Sequence, residues 1–345
     1  MLWNLKMEKS EVIDNNEVLN KVKEKYSYQD NVKFNLFFHL NEKEIFSYHN
    51  EYICTFIIQN TFSSNSYFAL KHNSSGEGYI YDKQNNIYMK SHTQMISKLI
   101  IDYKSNYIIS CSYDKTIKIW DLSKMDNKSK NLAKLEGHKG RIYDMDLIID
   151  KDELLSCGMD KNILLWDIKN FILIKKINLN SSIHNLMVKY IYINGAFKGT
   201  KCSELILVYS KNQYLNFIDK NNDNIIEKIN ICCSEGSILI INNEEYIYQN
   251  KKTYNIIIFN FILNKSTGTL IGCKNDIQII KKYSKANKLI SFDKGNNIKI
   301  WNYIKKYCEL TIKIDFVLYC LYIDNNGNLL CGSIKKIYIY NFISS

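Results

Sequence analysis

Proline is absent from the 345 residues, and arginine occurs once, at Arg141. Glycine is scarce at 13 residues, while lysine, asparagine, isoleucine and tyrosine are abundant together. That joint skew is the mark of AT-rich coding, so the formal net charge of +11 weighs less than it would in an unbiased chain. A basic balance ordinarily points to nucleic acid or an anionic surface as partner. Here the charge is nearly all lysine, a point charge without the bidentate fork that reads guanine edges or clamps phosphates. The lysines stand singly or in pairs such as Lys281-Lys282, Lys305-Lys306 and Lys335-Lys336, with no long run, and read as a solvated surface.

Other absences exclude whole classes. No Cys-x-x-Cys pair starts a zinc site. Ten cysteines in a chain this long are too sparse for a disulfide scaffold and read as buried free thiols in a reducing compartment. Residues 1–14 hold no apolar core of a signal peptide. The longest apolar stretch, Ile256 to Leu263, is broken by Asn260 and is far too short to span a membrane. His39, His49, His72 and His184 lack metal-ligand spacing. The expectation is an intracellular protein, cytoplasmic or nuclear, without metal or cofactor. With 46% hydrophobic residues it has enough apolar surface for a large core.

What is present is a repeat. His92 to Asp121 and His138 to Asp167 align at an offset of 46 without a gap, with nine of thirty positions identical. The shared residues include the His, a Ser, an Asp and the closing Trp-Asp. Gly272 to Asn302 is a third copy, with Cys273 for the His, Ser291 and Trp301 retained, and Gly295 for the Asp. Weaker endings at Tyr81-Asp82, Ile218-Asp219, Phe259-Asn260 and Tyr340-Asn341 complete a series of seven. Within each unit the pattern is β, as in the alternation Ile117-Lys118-Ile119. Units of this length cannot bury their apolar faces alone and must stack.

The Gly-His opening and Trp-Asp ending resemble the WD40 repeat family. The resemblance implies an all-β, seven-bladed β-propeller spanning 41–345. The chain then supplies three strands to its last blade (Phe316 to Ile323, Leu329 to Gly332, Ile337 to Phe342). The fourth is expected from the N-terminal side, at Ile45 to Tyr48, because His49 there resembles His138. An extension over 1–40 remains. In it Val12, Leu19, Val22 and Tyr26 share one helical face, which suggests a short helix or a disordered tail.

His92, Ser110 and Asp114 are the residue types of a hydrolase triad. The same trio recurs as His138, Ser156 and Asp160, each followed at constant spacing by Trp120 or Trp166, and active sites rarely come in tandem copies. The pattern resembles the family's structural tetrad, in which indole N–H, Ser, His and Asp satisfy one another. No Gly-x-Ser-x-Gly elbow exposes a nucleophile. Ser75-Gly76-Glu77-Gly78 lacks the following Gly-Lys-Ser/Thr of a phosphate loop and reads as a hairpin turn, as does Asp324-Asn325-Asn326-Gly327.

The function expected is therefore a non-catalytic scaffold, a monomeric propeller binding protein partners within a larger complex. The alternative is an RNA-binding accessory subunit, since HTQMISKLIID and the repeat after it are similar to the propeller partner of tRNA-modifying methyltransferases. On the propeller geometry Arg141, Tyr143, Met145 and Met159 converge on one face with Met95, Ser97 and Tyr113 of the neighbouring blade. Arg141, Tyr143, Met159, Met95 and Tyr113 are the candidate partner-binding residues, being of types common in hot spots. Inward burial of Met145 and Tyr143 is the competing placement.

Overall fold

Short runs of β-branched and aromatic residues, bounded by Asn, Asp, Lys and Gly turns, form strands throughout the computed structural model. It describes residues 32–36, 53–59, 67–73, 75–82, 87–124, 130–179, 185–193, 197–199, 203–211, 213–231, 233, 237–283, 287–323, 329–333 and 337–344. The first strand is β1 (Val32–Leu36). Sheet 1 follows as β2 (Ile53–Gln59), β3 (Tyr67–His72), β4 (Gly78–Asp82) and β5 (Ile87–His92). Sheet 2 is β6 (Ile96–Asp102), β7 (Tyr107–Ser112), β8 (Thr116–Asp121) and β9 (Ala133–Glu136). Sheet 3 is β10 (Ile142–Ile148), β11 (Glu153–Gly158), β12 (Asn162–Asp167) and β13 (Ile172–Asn178). Sheet 4 is β14 (Asn185–Tyr192), β15 (Glu204–Ser210), β16 (Tyr214–Asp219) and β17 (Ile225–Asn230). Sheet 5 is β18 (Ile238–Ile240), β19 (Glu245–Gln249), β20 (Ile256–Asn260) and β21 (Lys265–Leu270). Sheet 6 is β22 (Ile277–Tyr283), β23 (Lys288–Asp293), β24 (Asn297–Asn302) and β25 (Tyr307–Lys313). Sheet 7 holds β26 (Cys320–Ile323), β27 (Leu329–Gly332) and β28 (Ile337–Ser344).

Each sheet is an antiparallel meander of four strands, and sheet 7 reaches four because β1 pairs with β28, Val32 opposite Ser344 and Leu36 opposite Tyr340. This corrects the expected partner of β28. Ile45 to Tyr48 lie outside the described residues, and the pairing strand lies ahead of the boundary expected at residue 41. The expected helix around Val12 to Tyr26 and the turn at 324–327 also fall outside the described residues. Among those described, the only helical segments are two single 3-10 turns, Leu122–Lys124 and Ile149–Lys151.

The core lies between consecutive sheets. Ile109, Ile117 and Ile119 of sheet 2 pack on Ile142, Leu164 and Trp166 of sheet 3. Leu155 and Ile163 of sheet 3 pack in turn on Val188, Ile206 and Ile218 of sheet 4. Equivalent clusters join the remaining neighbours from sheet 1 to sheet 7. Sheets 2 to 6 thus bury both faces, which explains near-continuous apolar strands such as Ile163-Leu164-Leu165-Trp166. Removing one such Leu or Ile side chain should cost about 2–5 kcal/mol.

The acidic end of the Trp-Asp motif has a local cause. Asp121 Oδ1 accepts the Ser123 N–H at 2.9 Å, and Asp167 Oδ1 accepts those of Lys169 and Asn170, both at 2.8 Å. Asp219, Asn260 and Asn302 accept from Asn221, Leu263 and Lys305 in the same way. The residue therefore folds the turn from third to fourth strand as an Asx-turn. That is why the weak endings keep Asp or Asn while losing Trp.

Side chains also stitch neighbouring inner strands. Asp144 and Asp146 on β10 accept the backbone N–H groups of Val188 and Tyr190 on β14, at 2.9 and 2.8 Å. Lys98 on β6 pairs with Asp144 at 2.7 Å, and Lys189 with Asp146 at 2.6 Å. Burial works against the Lys98 charge, but Asp144 and Asp146 outweigh it and hold its pKa above the usual lysine value.

Candidate functional site

Both quartets read from the sequence are assembled. His92 Nδ1 lies 2.8 Å from Asp114 Oδ2, its Nε2 lies 2.8 Å from Ser110 Oγ, and Trp120 Nε1 donates to the same Oγ at 3.0 Å. In the next sheet His138 stands 2.9 Å from Asp160 Oδ2 and 2.8 Å from Ser156 Oγ, which accepts the Trp166 N–H at 2.8 Å. Proton direction follows from the inventory of donors. An indole can only donate, so the Ser oxygen accepts from it and gives its own hydrogen to His Nε2; the ring proton then sits on Nδ1 and points at the carboxylate.

Burial decides what this chain of groups can do. The side chains of His92 and His138 are 0% exposed, and Ser110 and Ser156 are likewise 0% exposed. No acyl carbon can approach an Oγ that is enclosed and whose lone pair is held by an indole. The Asp also ties the loop that leads from the preceding sheet into the inner strand of its own sheet: Thr93 N–H donates to Asp114 and Lys139 N–H to Asp160. Burial pushes the Asp114 carboxyl up, yet the His92 contact and the Thr116 hydrogen bonds outweigh it and hold it below the usual range. Asp160 is carried down to about 2 against the same desolvation, by His138, Lys139 and Asn162. Burial pushes His92 below its ordinary value despite Asp114.

In the third copy Trp301 Nε1 still donates to Ser291 Oγ, at 2.9 Å, while Cys273 stands buried in the His place with burial raising its thiol to about 12. Gly295 supplies no carboxylate. Asp293, two residues earlier, accepts the Gly295 N–H, the Asn297 N–H and the Asn297 amide at 2.9 to 3.0 Å. In sheet 5 fully buried Gln249 takes over, accepting Ile277 N–H at 2.7 Å and donating to Asn275 C=O at 2.8 Å. Neither residue stood out in the sequence. Asp293 is displaced from the motif position, and Gln249 belongs to no motif.

The candidate binding residues do converge, with one departure. Arg141 is exposed, and its guanidinium carbon lies 5.2 Å from the Tyr113 ring centroid. Tyr113 and Tyr143 meet edge to face at 5.7 Å. Met159 is 41% exposed, and Met95 is half-buried. The backbone binds them into one patch, since Met159 N–H donates to Arg141 C=O and Tyr113 N–H to Met95 C=O. Ser97 Oγ donates to Ile142 C=O at 2.8 Å, linking sheets 2 and 3.

Met145 is the departure: it is 0% exposed and packs among Ile109, Ile142 and Trp166. The cause is a β-bulge between Ile142 and Asp144 in the pairing of β10 with β11. Strict alternation would put Tyr143 and Met145 on one face. The extra residue reverses the phase, so Ile142 and Met145 both point inward while Tyr143 is turned out. The same bulge recurs at the start of β6, β14 and β22.

No cluster of three His, Cys, Asp or Glu that could hold a metal ion occurs among the described residues. Cys111, Cys157, Cys233, Cys273, Cys320 and Cys331 are free and buried, and Cys308 is free and half-buried. Ser75 to Gly78 lies in the hairpin between β3 and β4, with Gly76 at φ 84°. No helix among the described residues is long and apolar enough to cross a membrane.

The sequence profile described as "WD domain, G-beta repeat" matches residues 84–121 and 129–167, the two regions that carry the quartets. No curated protein sequence matches the chain. Among solved structures, the WD40 β-propeller domain of Doa1 superposes with a TM-score of 0.62 at 13% identity, covering 84% of this chain and 97% of that one. Two segments of the chain thus match the WD repeat profile, and its fold is similar to that of a WD40 β-propeller domain.

Proposed function

We propose that the protein is a non-catalytic docking platform inside the cell, a seven-bladed ring closed by β1, that holds protein partners within a larger assembly. Seven four-stranded sheets with β1 completing the last one support the blade number and the closure. Free thiols among the described cysteines fit a reducing compartment. WD40 propellers generally serve as protein-interaction scaffolds, and the enclosed His and Ser side chains speak against turnover at the one place where the residue types suggest it.

One observation carries the reading: the patch of exposed Arg141 and Met159 with half-buried Tyr113, Met95 and Tyr143, the last turned outward by the bulge in β10. An arginine in a chain that otherwise uses lysine, laid over an aromatic ring, is the hot-spot combination. The test is affinity capture from the native source with wild type and Arg141→Ala side by side. A defined protein retained by the first and depleted from the second is expected. No retained partner at all would reject the platform.

A further inference from the structure

We propose, resting on the platform reading, that the face carrying the tetrad turns docks an acidic segment of a partner protein, with apolar side chains set among its carboxylates. The ground is an asymmetry in how the lysines are answered. On this face Lys115 and Lys161 occupy the left-handed positions of the turns after β7 and β11, with φ 73° and 67°. Lys139 and Arg141 precede β10, and Lys211 and Lys252 stand in the turns after β15 and β19. Lys115, Lys139, Arg141, Lys211 and Lys252 are exposed and Lys161 is half-buried, and none of the six pairs with a carboxylate of the described residues; Lys294, in the turn after β23, does, with Asp276 at 2.9 Å. The acids that these turns possess are already engaged. Asp114 and Asp160 face His92 and His138, and Asp293 is occupied by Asn297 and Gly295.

At the opposite end of the strands several lysines meet partners. Lys104 pairs with Asp152, Lys151 with Glu204, and Lys220 with Glu153 at 2.8 Å. One face is therefore left electropositive, and the fixed histidine contacts keep it so.

The patch around Arg141 sets the character of the occupant. Tyr113 covers one face of the guanidinium, which leaves the N–H edge for a carboxylate. Met95, Met159 and the two tyrosines offer apolar contact beside it. Single-stranded RNA suits the face less well, because base stacking needs an open ring, whereas Tyr113 is covered by Arg141 and abutted by Tyr143. A second copy of the chain would bring like charges together across a twofold interface.

The test uses the full chain and a fluorescein-labelled peptide in which Glu and Asp alternate with Phe. Three comparators are the same peptide with Lys for the acids, the same with Ser for Phe, and a single-stranded RNA. Saturable binding of the acidic Phe peptide alone is expected, weakening between about 50 and 300 mM salt. Arg141→Glu with Lys139→Glu should weaken it by about tenfold or more. Lys115→Asn with Lys161→Asn, which keeps residues tolerant of the left-handed turn, should weaken it by a smaller factor at unchanged melting temperature. Lys169→Glu with Lys305→Glu on the opposite face should leave it within about twofold. Equal loss in the opposite-face variant, or tighter RNA binding lost in the Arg141 variant, would overturn the proposal. If a captured partner ignores Arg141 and Lys139, the platform stands and the acidic docking face fails; if neither partner nor peptide binds, both fail.

Discussion

Ser156 and Ser291 occupy the same place in two sheets but serve different numbers of partners, which allows the hydrogen-bond chain to be weighed inside one molecule. Ser156 Oγ accepts from Trp166 and donates to His138, at 2.8 Å each. Ser291 Oγ accepts from Trp301 at 2.9 Å, and Cys273 stands where the histidine would be. Ser156→Ala leaves two buried groups unsatisfied, and Ser291→Ala leaves one. At about 1–3 kcal/mol for each orphaned group, the first substitution should cost about 1–3 kcal/mol more than the second. The assay is urea unfolding followed by fluorescence of the buried tryptophans, with the denaturant slope required to match wild type. A second measurement isolates the pair. In a His138→Cys background, Ser156→Ala should cost only what Ser291→Ala costs, the shortfall being a coupling energy within the usual range of about 0.5–3 kcal/mol. Equal costs for the two serines in the wild-type background would refute the reading that Ser156 satisfies one buried group more than Ser291 does.

Acid should destabilise the fold in two stages. His92 is held below its ordinary value and Asp114 and Asp160 below theirs, so the folded state binds fewer protons than the unfolded chain. Stability is then fully present above the unfolded histidine value of about 6.5 and falls first below it, then again below about 4 as the carboxylates protonate; a melting temperature flat from about pH 7 to pH 5 would sink the first stage. Gly158→Ala should destabilise by at least about 1–3 kcal/mol, since its Cβ would run into the Arg141 carbonyl, and a wild-type melting curve would show that the loop yields. Deleting residues 1–36 should leave β28 an unpaired edge and promote aggregation, whereas deleting 1–31 should be mild; light scattering that does not separate the two would place the ring closure elsewhere.

The repeat was legible because its residues do local work. The Trp-Asp ending marks a turn, the His-Ser-Asp trio pairs at fixed spacing, and both survive as patterns in the two strongest copies. The degenerate copies were legible through the acid or amide of their endings, Asp82, Asp219, Asn260 and Asn341, of which Asp219 and Asn260 keep the turn after the indole has gone. What escaped was everything that depends on register. The bulge in β10 hid Met145 and turned out Tyr143, and no side-chain pattern in Arg141-Ile142-Tyr143-Asp144-Met145 announces an extra residue. The strand on β28 escaped for a related reason: any short alternating segment upstream could pair there, and the likeness of His49 to His138 drew attention to Ile45 to Tyr48 instead of Val32–Leu36.

Asp144 and Asp146 reach across to the amides of Val188 and Tyr190, and this alters how the ring breathes. An inner strand of such a ring normally leaves alternate amides to water, where solvent deuterium finds them quickly. Here two of those amides, facing the channel side of β14, are capped by fixed carboxylates and can exchange only when sheets 3 and 4 part. In a stacked array each junction contributes its own share of stability. The junction between sheets 3 and 4 is thus among the last to open, and a ring that gives way under heat or load should tear at a joint without such caps.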